Sequence, residues 1–159
     1  MKPLAERTEQ LKQSNIRAIT LMLQEVDGIN LGQGICDMPT PEPIKRGAHA
    51  AIDDDKSIYS YYGGILQLRE ALLKKSRAYN RIPANSVDDI MVTVGSTGAF
   101  VATILTLLDA GDEVIVFEPY YGYHCNLLTV MGTSLKFVRT TALDWDIDLK
   151  HVESLISSR

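Results

Sequence analysis

The chain has 159 residues, 45% of them apolar and 23% charged, which are the proportions of a globular chain with room for one sizeable core and not of a disordered or fibrous one. Its net charge is −4, with Lys and Arg scattered from Lys2 to Arg159, so no basic stripe marks a nucleic-acid partner. The longest apolar runs, around Ile19 to Leu23 and Val101 to Leu108, fall short of the ~20 residues of a membrane-spanning helix.

The N-terminus, Met-Lys-Pro-Leu-Ala-Glu-Arg, has no apolar signal core, and a cytoplasmic location is expected. From Glu6 to Val26 apolar residues at Leu11, Ile16, Ile19, Leu23 and Val26 predict one or two amphipathic helical segments, ended by Gly28. Pro39, Pro41 and Pro43 make the stretch after Gly34 an extended or turned loop. Cys36 in that loop and Cys125 further on have no C-x-x-C spacing and no His cluster, so neither a disulfide framework nor a metal site is indicated. Both are expected as buried free thiols.

Pro43 can open a helix through Ile52, because a proline at the first helical position removes a donor that has no partner there anyway. A second helix is expected from Ile65 to Tyr79. Beyond it, short β-branched runs alternate with helical patterns, the sign of β-α-β units and a parallel sheet. Ile90 to Val94 reads as a strand. Phe100, Val101, Ile104, Leu105 and Leu108 share one helical face, Gly111 suits the helix end, and Glu113 to Phe117 reads as the next strand. Tyr123 to Met131 is expected as helix, Ser134 to Val138 as strand, and Asp148 to Ile156 as a final helix capped by Asp146 or Asp148.

The segment Val92-Thr93-Val94-Gly95-Ser96-Thr97-Gly98-Ala99 runs from an extended stretch through small and hydroxylated residues into a helix. A helix start has unpaired N–H groups and the positive end of its dipole, glycine lets an anion approach the backbone, and Ser and Thr add hydroxyl donors. The pattern is neither G-x-G-x-x-G nor a P-loop, so it favours a single phosphate group over a dinucleotide or a nucleoside triphosphate. The same residues would serve equally as a helix cap with a tight turn. The segment Phe117-Glu118-Pro119-Tyr120-Tyr121-Gly122-Tyr123-His124 also follows a strand, and ligands of open parallel sheets sit beyond the strands' carboxyl ends. An aromatic there can stack on a flat ring whose phosphate the neighbouring helix start holds. At least two of Tyr120, Tyr121 and Tyr123 are expected as ordinary packing residues.

These segments together resemble the class I/II aminotransferases, over nearly the whole chain and in the family's order. Ser14-Asn15-Ile16-Arg17 is similar to its N-terminal Ser-x-Ile-Arg segment. Leu31-Gly32-Gln33-Gly34-Ile35-Cys36-Asp37-Met38-Pro39-Thr40-Pro41 resembles its substrate-side loop, with Cys36 as a departure, and the resemblance sets Gly34 against the substrate carboxylate. Tyr59, Gly64 and Leu68-Arg69-Glu70-Ala71 are similar to the family's Tyr-x(4)-Gly-x(3)-Leu-Arg-x-Ala stretch. Its tyrosine reaches across a dimer interface, which implies a homodimer. Gly95, Ser96 and Thr97 match the phosphate-binding turn, Asp109 to Val114 resembles a Pro-Gly-Asp-Glu-Val turn with Ala110 for Pro, and Tyr121 falls where an aromatic stacks on the pyridine ring. The resemblance implies pyridoxal 5'-phosphate as cofactor and an incomplete αβα three-layer parallel sheet of the fold type I large domain. It implies an N-terminal arm and substrate-side loop over residues 1–42, with part of the large domain over 43–159. Amino-group transfer between an amino acid and a 2-oxo acid is the implied activity.

The chemistry also needs a lysine that forms a Schiff base with the cofactor. Lys2, Lys12, Lys45, Lys56, Lys74, Lys75, Lys136 and Lys150 all lack the family's Ser-x-Ser/His-Lys context and read as solvated charges. The family's Asn-Pro-x-Gly turn, pyridine-nitrogen Asp, further Tyr and late Arg would come after Arg159. The chain is therefore expected to be an N-terminal fragment, inactive alone, that needs its C-terminal half. Three rival readings use the same residues. One is a non-catalytic, truncated or degenerate cofactor-binding subunit. Another is a C–S lyase or decarboxylase of the same fold. The third is a single-domain α/β enzyme that holds a different phosphorylated ligand at Gly95 to Gly98, with His124 or Asp37 as acid or base.

Overall fold

A computed structural model describes residues 3–158. Lys2 and Arg159, both named above, lie outside the described residues. The chain divides into two compact units, one made of the stretch through Gln33 together with Ser96 onward, the other of Gly34–Gly95. No helix among the described residues is long and apolar enough to cross a membrane.

The first unit is built on a β-α-β turn of chain. The β-branched run Glu113–Glu118 forms β1, Ser134–Arg139 forms β2, and Gly122–Met131 forms the intervening helix, labelled α5 for its place in the chain. The strands pair in parallel, from Glu113 opposite Ser134 to Glu118 opposite Arg139. A parallel pair needs a crossover, and the helix supplies it. Gly132 ends α5 at φ 78°, and Gly111 sits at φ 93° in the turn before β1, where its N–H donates to the Gly132 carbonyl at 2.9 Å. The two left-handed glycines thus meet at one end of the sheet. The core comprises Ile104, Cys125, Leu128 and Val138, with Val138 wholly buried. Ile104 comes from α4, Gly95–Leu107. After β2, Asp148 caps α6 (Leu149–Leu155) by accepting from the N–H groups of Lys150 and His151, as the sequence leads one to expect.

The N-terminal pattern resolves into a short 3₁₀ turn, Glu6–Gln10, and α1, Asn15–Glu25. Asp27 (φ 49°) takes the left-handed position after α1, and the Gly28 N–H returns to the Leu23 carbonyl at 2.9 Å. This closes the helix one residue earlier than the glycine alone implies. The arm is tied to α5 by Asn126. Its side-chain oxygen accepts from the Lys12 N–H at 3.2 Å, and its amide donates to the Lys12 carbonyl at 2.8 Å.

In the second unit, Pro41 precedes α2 (Glu42–Asp53), and α3 (Leu66–Lys75) runs into a π-helical turn, Ser76–Asn80, that stops at Arg81 in the left-handed region. Arg69 on α3 is buried. Its Nε donates to the Ile90 carbonyl at 2.9 Å, and its Nη2 donates to the Val87 carbonyl at 2.5 Å and the Asp88 carboxylate at 3.1 Å. The turn that presents those carbonyls is held by Ser86 and Asp89. The Asp89 carboxylate accepts from the N–H groups of Asn85 at 2.6 Å and Ser86 at 3.1 Å, and these bonds lower its pKa.

Three expectations need correction. Ile90 to Val94 is extended but is not a strand, because its ladder groups are used otherwise: Arg69 takes the Ile90 carbonyl and the Val92 N–H donates to the Gly63 carbonyl at 2.9 Å. Cys36 is exposed rather than buried, since the proline-rich loop around it forms no helix or strand that could cover it. Lys136 is not a freely solvated charge. Its position on β2 brings it to Glu113 at 2.6 Å and to the Leu155 carbonyl at 3.0 Å.

The two thiols should therefore react very differently. Burial first, and Glu118 second, push the Cys125 thiol above its ordinary value. A neutral iodoacetamide reagent at pH 8 is expected to modify Cys36 within minutes and Cys125 only on unfolding. The sign for stability follows: the neutral Cys125 thiol is the favoured native form, so its contribution is complete below the ordinary thiol pKa of ~8.5 and is lost as pH rises through the higher native value. Mass mapping that finds equal labelling of both cysteines in folded protein would contradict this placement.

Candidate functional site

The geometry starts where the extended segment meets α4. The Gly95 N–H donates to the Thr93 carbonyl at 2.8 Å, while the Thr93 hydroxyl donates to the Gly95 carbonyl at 2.8 Å. This double closure reverses the chain at Val94, a three-residue turn, and sends it into the helix. Gly95 has φ 69°, where a side chain is strained, and a Cβ there would meet nothing within 4 Å. Ser96 and Thr97 are both exposed on the first turn of a helix of 13 residues. That turn has the donors, dipole sign and open approach that suit an anion.

Tyr121 directly precedes α5, after a cis Glu118–Pro119 peptide, and is about half exposed. Its carbonyl accepts from the His124 N–H at 3.0 Å, which fixes the first turn of α5. Of the neighbouring tyrosines, Tyr120 leans on Phe137 with ring centroids 5.3 Å apart, and Tyr123 lies 5.2 Å from Tyr121. The His124 ring stacks on Phe100 at 4.0 Å and 21° and meets the Tyr121 ring edge-on at 5.0 Å and 82°. Phe100 lies three residues after Thr97 on α4, one helical turn on, so the first turns of α4 and α5 are joined through this ring pair. Phe100, Tyr121 and His124 also line a groove of about 350 Å³ along β1.

Gly34 and Tyr59 belong to the second unit. Gly34 is exposed, with space for a Cβ, and Tyr59 is 99% exposed. Two residues further on, Tyr61 lies 5.2 Å beneath the Arg69 guanidinium, and its hydroxyl pKa is raised chiefly by a hydrogen bond with Tyr62. Among the described residues no group of three or more His, Cys, Asp or Glu is arranged to hold a metal ion. Sequence reasoning missed the pairing of Phe100 with His124. The available signal was a flat side chain at the strand-end segment and another one turn into α4.

The family described as aminotransferase class I and II matches residues 26–159 of this chain. The chain is 33% identical over 156 residues to a probable aspartate aminotransferase of Methanocaldococcus jannaschii, an alignment that covers 98% of this chain and 41% of the relative. It is 37% identical over 130 residues to an aromatic-amino-acid aminotransferase of Thermococcus litoralis, covering 81% of this chain and 33% of the relative. Among solved structures, aspartate aminotransferase from Thermus thermophilus with maleate superposes with a TM-score of 0.89 at 31% identity, over 99% of this chain and 42% of that one. The chain therefore spans about two fifths of the length of such relatives. The likeness extends the two-stranded sheet described here to the fold type I architecture expected from the sequence.

Proposed function

The chain belongs to the aminotransferase class I and II family, and on that premise we propose that it binds pyridoxal phosphate as the N-terminal part of an enzyme moving an amino group between an amino acid and a 2-oxo acid. One observation carries the proposal. The open first turn of α4 and the half-exposed Tyr121 ring are linked through Phe100 and His124, which suits a phosphate joined to a flat ring.

When bound, the cofactor supplies an electron sink for the substrate's α-carbon. The chain's own residues do the holding. The backbone N–H groups and hydroxyls of Ser96 and Thr97 would bind the phosphate, which Gly95, its own N–H held by the Thr93 carbonyl, would let approach the backbone. The half-exposed Tyr121 ring would stack on the pyridine and keep water from it. Gly34, without a side chain, leaves room for the substrate carboxylate. The exposure of Tyr59 supports a role at a neighbouring subunit in a homodimer. No lysine here carries the context of a catalytic one, and the relatives extend well beyond the matched region, so the reacting amine is assigned to a C-terminal complement.

The test is direct. The chain alone, given pyridoxal phosphate, an amino acid and a 2-oxo acid, is expected to transfer no amino group above the free cofactor's rate. Joined with the C-terminal region of a family member, it is expected to turn over. Thr97→Ala in the joined enzyme should remove about 1.5–3 kcal/mol of phosphate binding. That corresponds to a roughly ten- to hundredfold weaker Kd for the cofactor, with kcat at saturation little changed, because a phosphate contact acts on ground and transition states alike. Turnover by the chain alone, or an unaltered Kd in Thr97→Ala, would refute the assignment.

A further inference from the structure

Phe100 itself holds no part of the cofactor in the roles proposed above, yet its ring is placed as a spacer. It lies on α4 one turn beyond Ser96 and Thr97 and stacks nearly parallel on His124 at 4.0 Å. His124 in turn meets the Tyr121 ring edge-on at 5.0 Å and donates its backbone N–H to the Tyr121 carbonyl. Three flat groups therefore run in series from the helix start that suits a phosphate to the ring that suits a pyridine. We propose that Phe100 is a positioning residue, which, by stacking on His124, sets the separation between the phosphate-binding turn of α4 and the Tyr121 ring, and so selects a phosphate carried on an aromatic ring over a free phosphate.

The proposal rests on the cofactor reading and deepens it. A helix start alone binds any small oxyanion through its N–H groups and dipole. Preference for one joined to a ring requires both contacts at once, which depends on the distance between two helices. Aliphatic side chains at Phe100 and His124 would fill the same space but slide past one another. Offset and edge-to-face aromatic contacts have preferred geometries and hold the rings at fixed distances. The neighbouring residues do not supply this tie: Tyr120 is turned to Phe137, and Ile104 belongs to the core below.

The experiment uses the full chain and three probes, pyridoxal phosphate, pyridoxal and inorganic phosphate, each titrated calorimetrically. The variants are Phe100→Leu, which keeps apolar bulk without a ring, Phe100→Tyr, which keeps the ring, and His124→Phe, which keeps a flat partner. A separate readout, independent of any probe, is the ring-current shift of the His124 imidazole protons in the NMR spectrum. That shift should be present in the wild type and in Phe100→Tyr and lost in Phe100→Leu.

Phe100→Leu is expected to bind pyridoxal phosphate about five- to tenfold more weakly, the scale of one aromatic pair. Its affinity for inorganic phosphate should be unchanged, and both ring-preserving variants should retain the wild-type preference. If the wild type binds pyridoxal phosphate no better than inorganic phosphate, the cofactor reading fails and the spacer role with it. If the wild type is selective and Phe100→Leu is equally selective, the spacer role alone fails. An equal loss for both probes in Phe100→Leu would also overturn it, by showing damage to α4 itself.

Discussion

Replacing Gly64 by alanine is expected to destabilise the chain by about 3 kcal/mol, from about 1–2 for forcing an L side chain into the left-handed half of φ and about 1–3 for overpacking. Gly64 has φ 99°, and a Cβ there would lie 2.6 Å from Cγ2 and 2.7 Å from Cβ of Val92. Neither neighbour can yield easily. Valine is stiff about χ1, and the Val92 backbone is tied to the Gly63 carbonyl at 2.9 Å. Val92 also lies three residues before Gly95, so a shift there would be passed to the turn that opens α4. Gly47 is the internal control. It lies within α2, meets nothing within 4 Å of an added Cβ, and its alanine variant should be stabilised by about 0.5–1 kcal/mol through helix propensity. Denaturant titration of both variants is the measurement, with Gly64→Ala/Val92→Ala as the double mutant. Relief of the steric share in that double mutant, leaving the φ share, is the expected non-additivity. A Gly64→Ala variant within 0.5 kcal/mol of wild type would show that the 63–64 turn and Val92 are not in contact.

Gly64 is also a measure of what the residues disclose before any coordinates. Its place in the Tyr-x(4)-Gly stretch marks it as notable, but the reason, a neighbour at Val92, is a long-range fact. The same division runs through the molecule. β1 and β2 are legible because two short apolar segments flank a helical pattern of crossover length, and the Asp148 cap is legible because capping is local. Ile90 to Val94 has equal β propensity yet forms no ladder, since a strand requires a partner and Arg69 occupies one of its carbonyls. Cys36 departs from the expectation because thiols are mostly buried on average, while the loop that carries this one leaves it exposed. Ser96 and Thr97 are found at a helix start as their sequence pattern predicts. The link from that start to Tyr121 runs through Phe100 and His124, two residues whose pairing no periodicity encodes. Arg69 escaped notice as a structural residue for the opposite reason, because a charged side chain is assigned to the surface by default.

That arginine supports the second large prediction. Arg69 is 8% exposed, and three acceptors surround its guanidinium: the carbonyls of Val87 and Ile90 and the carboxylate of Asp88. The ion pair is the lesser part, because the Asp88 side chain is 85% exposed and exposed pairs are worth roughly 0–1 kcal/mol. The carbonyls decide. Each loses a charged donor on truncation, at about 1–3 kcal/mol apiece when water cannot replace it. Arg69→Ala should therefore cost about 3–4 kcal/mol, whereas Asp88→Ala should cost under about 1. Arg69→Lys should fall between them, since one ammonium group cannot reproduce the planar fork that spans Val87 and Ile90. Acid separates the clamp from the turn it grips. The Asp89 carboxylate, held below its ordinary pKa by the Asn85 and Ser86 N–H groups, contributes fully above about pH 4 and is lost as pH falls through its lower native value. Lowering the pH to 3 should thus loosen the 85–89 turn in wild type and in Arg69→Ala alike, while the difference between the two persists. Amide exchange at Val92, whose N–H donates to Gly63 in the same unit, gives the local readout. Equal exchange rates there in wild type and Arg69→Ala, together with equal losses of stability for Arg69→Ala and Asp88→Ala, would mean that Arg69 acts through its surface ion pair and not through the carbonyls it grips.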